Sequence, residues 1–330
     1  MSSARRAVSA PLAVLLAALL AGCGGAEPVQ PTPAASVSDP SAADAPPPAP
    51  PQPKRTILLD PGHNGGNAQH TADINRPVPD GRGGTKPCNT TGTSTDDGFP
   101  EYKFTWDVAL RVRQLLSTNG VEVFLTRQDD TGWGPCVDVR GEEAAKINAD
   151  AVVSIHADGA APAGHGFHVI YSKPALNATQ GTPSIALATS LRNALTGQGF
   201  TQSTYAGKQG LIGRDDLAGL NLAKRPAALV ECLNMRNPDE ADFVDNSAAQ
   251  QRYANAITLG ILDWLAHNPP EELHALAAGI PNSTPSTKKH SSESSTRSSS
   301  KSSSKSSTPK STTKTKAPSA SSTSSAGADG

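Results

Sequence analysis

Residues 151–158 read AVVSIHAD, and residues 227–233 read AALVECL. Each is a short apolar run that carries a polar side chain at or near its end, His156 in the first and Glu231 in the second. A continuous apolar run of this length is typical of a strand that is buried on both faces of a sheet. The two runs therefore predict buried strands of an α/β domain, and each brings a polar group to the end of its strand.

Outward from these runs, strand-like and helix-like segments alternate along the chain. Further strands are predicted at 56–59, 121–125 and 166–171, and helices at 101–119, 140–149, 184–195 and 249–267. This alternation predicts one α/β domain with a central, mostly parallel or mixed sheet of about six strands and helices on both faces. In such sheets functional groups collect in the loops at the carboxyl ends of the strands.

The first 23 residues are typical of an export signal rather than of a folded element. Arg5 and Arg6 precede an apolar segment, 7–21, that is too short to span a membrane. Residues 20–23, LAGC, resemble the lipobox of bacterial lipoproteins, in which the cysteine carries lipid. An ordinary cleavage site beside an incidental Cys23 is the alternative. Either interpretation predicts export; lipidation of Cys23 predicts an anchor on the outer face of the cytoplasmic membrane.

The folded domain is predicted to span 54–270, because the flanking segments lack a core-forming pattern. Residues 24–53 are rich in Pro and Ala and predict an extended linker. Residues 271–330 are predicted to be a disordered tail, which from 281 onward is nearly all Ser, Thr, Lys, Pro and Ala. That last part holds eight Lys or Arg against two acidic residues, a net charge of +6, whereas the whole chain carries only −1. The overall charge does not favour nucleic acid as a partner.

Three cysteines remain once Cys23 is set aside. Cys88 and Cys136 both lie in Gly- and Pro-rich loop sequence, and an exported protein meets an oxidising compartment that permits a disulfide. Cys232 lies inside the apolar run 227–233, where a buried thiol is the simpler expectation. We predict a Cys88–Cys136 disulfide, although sequence alone does not determine which cysteines pair.

Three of the predicted strands lead into a group that is able to bind or serve a metal: His63, His156 and Glu231. Glu101 opens the first long helix. Two imidazoles and a carboxylate are a common catalytic zinc set, and a second carboxylate is able to move the proton of an attacking water. A single histidine after a strand is more often structural than a ligand. Glu231 is the more informative residue, because a carboxylate inside an apolar strand is costly unless it is paired or near a metal.

At these residues the chain resembles the zinc-dependent amidase-3 family of N-acetylmuramoyl-L-alanine amidases. Five blocks carry the resemblance in the family's order: 57–66, Glu101, 125–127, 140–158 and 225–231. The resemblance implies that 54–270 is a zinc amidase domain, that His63, Glu101 and His156 hold Zn2+, and that Glu231 is the catalytic carboxylate. The implied reaction is hydrolysis of the amide between the lactyl group of N-acetylmuramic acid and L-alanine in peptidoglycan.

Several features depart from the family or leave alternatives open. Many relatives have Asn where this chain has Asp158, and the loop 64–100 is long. The short segment between 210 and the strand at 227 predicts no autoinhibitory helix. A zinc peptidase acting on stem peptides and a non-catalytic, wall-tethering lipoprotein are the two alternatives. We expect a monomer that binds peptidoglycan or muropeptides. The other histidines are assigned to surfaces, with His165 and His168 nearest the rim of the site.

Overall fold

The computed structural model of this protein describes residues 53–279. The predicted signal peptide with Cys23, nearly all of the linker and the basic segment from 280 onward lie outside the described residues. Within residues 53–279, no helix is both long enough and apolar enough to cross a membrane.

Six strands form one sheet in the order β4-β1-β5-β8-β6-β7. Their bounds are β1 (Thr56–Pro61), β4 (Glu122–Leu125), β5 (Ala151–Asp158), β6 (His168–Ser172), β7 (Leu211–Arg214) and β8 (Ala227–Asn234). The first four of the sheet order are parallel, whereas β6 pairs antiparallel with β8 and β7 runs parallel to β6. The predicted α/β sheet of mixed direction is confirmed.

Helices cover both faces of this sheet. The helices are α1 (Thr71–Ile74), α2 (Glu101–Thr118), α3 (Val137–Lys146), α4 (Thr182–Gly197), α5 (Ala218–Asn221), α6 (Pro238–Val244), α7 (Ser247–His267) and α8 (Pro270–Ala277). Buried side chains of α2, α4 and α7 pack against one face, where Phe104 and Trp264 are among the largest. Buried residues from α3 and α5 pack against the other face with Leu58 and Leu229. Alternate residues of each central strand thus enter separate apolar layers.

The two central strands, β5 and β8, are buried along their whole length. Val153 and Val230 point to the layer that contains α2, α4 and α7, and Val152 and Leu229 point to the opposite layer. Burying an aliphatic side chain of this size contributes about 1.5–3 kcal/mol. The apolar runs of the sequence therefore mark the strands that hold the two layers together.

Several short elements were not predicted, among them helix α8 and strand β7. The sequence placed the start of a disordered tail at 271, but α8 continues the fold to Ala277 and buries Leu273. Pro270 in the first turn and the acidic Glu271 and Glu272 favour a helix start there. The sixth strand, β7, was missed because its four residues are all half-buried and show no alternation.

The long segment between β1 and α2 is not structureless. It contains a 3-10 turn at Asn67–Gln69, helix α1 and a small antiparallel hairpin of β2 (Pro77–Pro79) and β3 (Thr85–Pro87). Cys88 follows this hairpin and forms a disulfide with Cys136, at the start of α3, which confirms the predicted pairing. Cys232 is a buried free thiol, as expected. The disulfide joins the loop before α2 to the loop before α3 beside the site described next.

Candidate active site

The predicted site residues meet at one edge of the sheet because β1, β5 and β8 are adjacent and parallel. Their carboxyl ends therefore lie side by side. His156 on β5 is directly paired in register with Glu231 on β8. The amide of Gly62, just after β1, donates to the carbonyl of Ile155 at 3.0 Å and keeps the chain beside β5 as it turns toward His63.

The turn after β1 is tightly constrained. A Cβ on Gly62 would lie 2.4 Å from the ring of His156, so only glycine allows the two chains to approach this closely. The next residue, His63, has φ of 59°, in the left-handed region that costs a residue with a side chain roughly 1–2 kcal/mol. Strain of this kind persists only when the surroundings hold it, and it clusters at functional sites.

Glu101, the first residue of α2, bridges the two histidines. Its Oε2 lies 3.1 Å from His63 Nε2, and its Oε1 lies 3.0 Å from His156 Nδ1. Possible metal-ligating atoms of these three residues all lie within 4.8 Å of one another, and all three residues are at most 5% exposed. Two imidazoles and one carboxylate so close together, and buried, fit a single zinc ion with positions left open for water and substrate.

Backbone amides and carbonyls hold this group in place. Glu101 accepts hydrogen bonds from the amides of Ala157, at 3.1 Å, and Thr93, at 3.0 Å. His63 Nδ1 lies 3.2 Å from the carbonyl oxygen of Thr90, a partner that favours a proton on Nδ1 and leaves Nε2 to face Glu101. Burial acts to raise the pKa of Glu101, but the nearby imidazoles of His63 and His156 outweigh it and lower that pKa.

The pKa of Glu231 is shifted in the opposite direction to that of Glu101. Glu231 is 5% exposed, and its Oε2 is buried without a hydrogen-bond partner among the described residues. Burial raises the pKa of Glu231 well above its usual value, and the charges of Asp158 and Glu101 raise it further, against the effect of Arg214. Two carboxylates that line one cleft thus have pKa values displaced in opposite directions, an arrangement typical of acid–base sites.

Two residues beside Glu231 were not predicted as part of the site. His168 was assigned to a strand surface near the rim, yet it is 2% exposed and pairs in register with Glu231 across the antiparallel β6–β8 contact. Burial, with a contribution from the charge of Arg214, lowers the pKa of His168 to about 4, so its ring is neutral at physiological pH. Its Nδ1 has no hydrogen-bond partner among the described residues.

Tyr205 is the second residue beside Glu231 that was not predicted as part of the site. Its ring packs edge-on against that of His168, with 5.7 Å between the ring centroids. The hydroxyl is buried without a well-formed hydrogen bond in the described part of the chain, although Asp158 is near enough to affect it. Burial raises the pKa of Tyr205, and the charges of Asp158 and Glu231 act in the same direction. Nothing in the local sequence around Tyr205 indicates this position, because the loop 198–210 has no regular pattern.

An open cleft leads from the solvent to these groups. Residues 90–93 line one side of the cleft and Asp158 and Gly159 line the other, with Glu101, His156 and Glu231 inside. The loop 90–93 directly follows Cys88 and its disulfide with Cys136. The cleft brings Glu101 and His156 of the His–Glu–His group together with Glu231.

A buried His–Glu–His group with a neighbouring carboxyl of raised pKa, at the carboxyl edge of an α/β sheet, defines a candidate metal-dependent hydrolase. Residues 57–263 match the amidase-3 family, described as N-acetylmuramoyl-L-alanine amidase. The chain belongs to this family of amide hydrolases.

Individual relatives agree with the family match. An N-acetylmuramoyl-L-alanine amidase of Mycobacterium tuberculosis is 48% identical over 210 residues, which cover 64% of this chain and 86% of the relative. The crystal structure of the N-acetylmuramyl-L-alanine amidase Ami1 from Mycobacterium smegmatis is 49% identical, with a TM-score of 0.63 over 65% of this chain and 98% of that one. The apo Ami1 structure from Mycobacterium abscessus is 50% identical, with a TM-score of 0.62 over 64% and 98%.

Proposed function

We propose that this protein is an exported, zinc-dependent N-acetylmuramoyl-L-alanine amidase. Its reaction is hydrolysis of the amide that joins the lactyl group of N-acetylmuramic acid to L-alanine of the peptidoglycan stem peptide. Membership of the family and the activity named for its relatives support the substrate class. The observation that carries the mechanism is the register pairing of Glu231 on β8 with His156 on β5, which places Glu231 beside the His–Glu–His group in one cleft.

His63, Glu101 and His156 are the residues that would hold zinc. Their donor atoms are already close together and buried, so little rearrangement of side chains is needed. The lowered pKa of Glu101 keeps this carboxylate ionised, as a ligand must be. When bound, zinc supplies a Lewis acid that polarises the scissile carbonyl and acidifies water.

Glu231 is the group that moves the proton. Glu231 lines the cleft and its Oε2 has no hydrogen-bond partner among the described residues, so the carboxyl group is free to accept a proton from the attacking water and then to donate that proton to the leaving nitrogen of L-alanine. A carboxyl group with an ordinary pKa is a poor acid at neutral pH. The raised pKa of Glu231 brings it closer to the operating pH and suits both halves of the transfer.

Residues 20–23 and the disulfide support the proposed location. The lipobox-like residues 20–23 support an anchor on Cys23. The Cys88–Cys136 disulfide is typical of a protein outside the reducing cytosol. The short connection between β7 and β8 holds only α5, which packs against α3 rather than over the cleft, and supports an enzyme without an autoinhibitory helix.

The test is mass spectrometry of muramyl dipeptide, and in parallel of purified peptidoglycan, incubated with the protein. Zinc-dependent release of L-alanyl-D-isoglutamine, abolished by a chelator and restored by added zinc, is the expected result. Cleavage between amino acids of a longer stem peptide, with the lactyl amide intact, would assign the protein to the peptidases instead. Zinc binding without any cleavage of either substrate would favour the wall-tethering alternative.

A further inference from the structure

Arg140, on α3, is almost completely buried and lies behind the turn that carries His63. Only 4% of it is exposed to solvent. A guanidinium group has five N–H donors in a fixed planar arrangement. Leaving any of them unpaired in the protein interior is costly, so their partners indicate what the side chain organises.

All five donors of Arg140 have an acceptor. Nη1 donates to Asp60 Oδ1 at 2.7 Å and to the carbonyl oxygen of Pro61 at 2.7 Å. Nη2 donates to the carbonyl oxygen of His63 at 2.7 Å and to that of Gly134 at 2.9 Å. Nε donates to the carbonyl oxygen of Pro135 at 2.9 Å. Four of the five acceptors are therefore backbone carbonyls, and one of these belongs to His63 itself.

The partners of Arg140 tie together three segments of chain. Asp60 is the penultimate residue of β1, and its Oδ2 also accepts a hydrogen bond from Ser154 on β5 at 2.7 Å, two residues before His156. Gly134 and Pro135 precede Cys136, whose disulfide reaches Cys88. One guanidinium group thus connects the turn after β1, the ligand-bearing strand β5 and the disulfide-linked loop.

His63 needs such support. Its left-handed backbone, with φ of 59°, is unfavourable for a residue with a side chain. A short charge-assisted hydrogen bond to its own carbonyl oxygen, and another to the carbonyl two residues earlier, fix the orientation of the peptide planes on both sides of this turn. The direction of the His63 ring follows from that backbone conformation.

We propose that Arg140 is a positioning residue for the metal centre: its five-donor network holds His63 in the left-handed conformation that directs the imidazole at Glu101. Arg140 contacts no donor atom of the His–Glu–His group and acts only through the backbone of His63 and through Asp60. This inference rests on the proposed zinc site. Lysine, with three donors around one nitrogen, is unable to reproduce a planar network of five bonds.

The chain offers a matched control at the opposite end of the sheet. Arg55 precedes β1, pairs with the buried Asp150 at 3.0 Å and donates to the carbonyl oxygens of Leu265 and Asn268, both at 2.8 Å. Like Arg140, Arg55 has one buried aspartate as its ion-pair partner and donates hydrogen bonds to several backbone carbonyl oxygens. Its partners lie away from the His–Glu–His group, so loss of Arg55 should affect stability but not the geometry of the metal site.

The experiment measures the zinc dissociation constant of metal-free wild-type protein, R140K and R55K by competition with a chromogenic chelator. The visible absorption spectrum of each Co2+-loaded protein and the thermal unfolding midpoint of each metal-free protein are recorded in parallel. We expect R140K to bind zinc about 10- to 100-fold more weakly, as is typical when a group that orients a metal ligand is lost. Its Co2+ spectrum should change as well. R55K should lose thermal stability yet keep the wild-type dissociation constant and spectrum.

Each outcome is decisive. R140K with a zinc dissociation constant within about twofold of wild type and an unchanged Co2+ spectrum would overturn the positioning role while leaving the proposed zinc site intact. Failure of the wild-type protein to bind zinc would instead overturn the proposed function. Should R140K not fold, Arg140→Ala titrated with millimolar guanidinium gives the second test: zinc affinity should rise with guanidinium and not with potassium at equal ionic strength. No rise would contradict the proposal.

Discussion

The two carboxylates of the cleft have opposite surroundings. Glu101 receives two imidazoles and two backbone amides, so each of its oxygens has two partners. Glu231, equally buried, has an Oε2 without any partner in the described part of the chain, next to the unpartnered Nδ1 of His168 and hydroxyl of Tyr205. Both oxygens of Glu101 thus have neighbours within the protein, whereas the Glu231 side of the site presents buried polar atoms without a well-formed hydrogen bond among the described residues.

This difference distinguishes the residues that would hold the metal from the residue that would take part in the reaction. Backbone amides that donate to the Glu101 carboxylate fix its position and favour its ionised form, which is what a metal ligand requires. A buried polar atom without a partner is costly in the free protein and gains most when substrate arrives. The same cleft therefore combines a rigid His–Glu–His half with a Glu231 half whose interactions are completed during binding and reaction.

The largest expected effect comes from Glu231→Gln. Removing the proton acceptor should lower kcat by about 10²- to 10⁴-fold, the usual contribution of general acid–base catalysis. Zinc content should not change, because Glu231 is outside the His–Glu–His group. The free energy of unfolding should stay equal or rise, because the variant lacks a buried carboxyl whose charge has no partner. Turnover on muramyl dipeptide, metal analysis and urea unfolding measure the three quantities. Normal turnover would remove Glu231 from the mechanism.

Glu101→Gln tests the His–Glu–His half of the site, and we expect it to lower both stability and zinc affinity. Replacing the carboxylate leaves two imidazoles and two amides without an ionised acceptor, and breaking a buried charged network of this kind typically costs about 3 kcal/mol or more. The metal-free variant should therefore unfold at lower urea concentration, and its zinc affinity should fall. If Glu101→Gln and Glu231→Gln changed stability equally, the contrast between the two halves would be wrong.

The dependence of stability on pH sharpens the comparison further. Burial acts to raise the pKa of Asp60, but the charge of Arg140 and the hydrogen bonds from Thr126 and Ser154 dominate and lower it from 3.8 to about 2. A folded-state pKa below the unfolded value stabilises the fold above the unfolded pKa, and this stabilisation is lost as the pH falls through the folded pKa. Asp60 should therefore contribute about 2 kcal/mol that disappears between roughly pH 4 and pH 2.

Urea unfolding of metal-free protein at several pH values between neutrality and the acid range measures this contribution. Asp60→Asn is the comparison variant, since it keeps the shape and an acceptor for Arg140 while it removes the titration. Its unfolding free energy should fall less steeply with acid than that of the wild type. Parallel curves for the two proteins would show that Asp60 does not supply the expected stabilisation.

Much of the fold could be predicted because the central strands have strong local patterns. The runs at 151–158 and 227–233 are apolar throughout since both faces of β5 and β8 are buried. By contrast, β7 is four half-buried residues without alternation, and α8 is only eight residues long and buries a single leucine, Leu273, so both give short local signals. The local hydrophobic pattern therefore predicted the extensively buried elements but not the short, partly exposed ones at the edges of the domain.

The site divides in the same manner. His63, His156 and Glu231 were indicated because each follows or ends a strand of a sheet predicted to be largely parallel, and such ends meet at one edge. His168 was assigned to a surface because the local sequence of β6 does not predict the direction in which the strand runs. Only the antiparallel pairing of β6 with β8 places His168 opposite Glu231. Tyr205 is brought there by a loop that follows α4, a contact between distant residues that no spacing predicts.

Tyr205→Phe, with the smallest expected effect, is the most direct way to break the comparison. The hydroxyl is buried without a well-formed hydrogen bond in the free protein, so its removal should raise the free energy of unfolding by about 1 kcal/mol. If the hydroxyl completes its hydrogen bonding on substrate, kcat/KM should fall about tenfold, equivalent to about 1.4 kcal/mol. Tyr253→Phe is the matched control, because Tyr253 packs between Phe104 and Phe200, outside the cleft. Equal kcat/KM for wild type and both variants would mean that the unpartnered hydroxyl is incidental, and that the reacting half of the site consists of fewer groups than the structure presents.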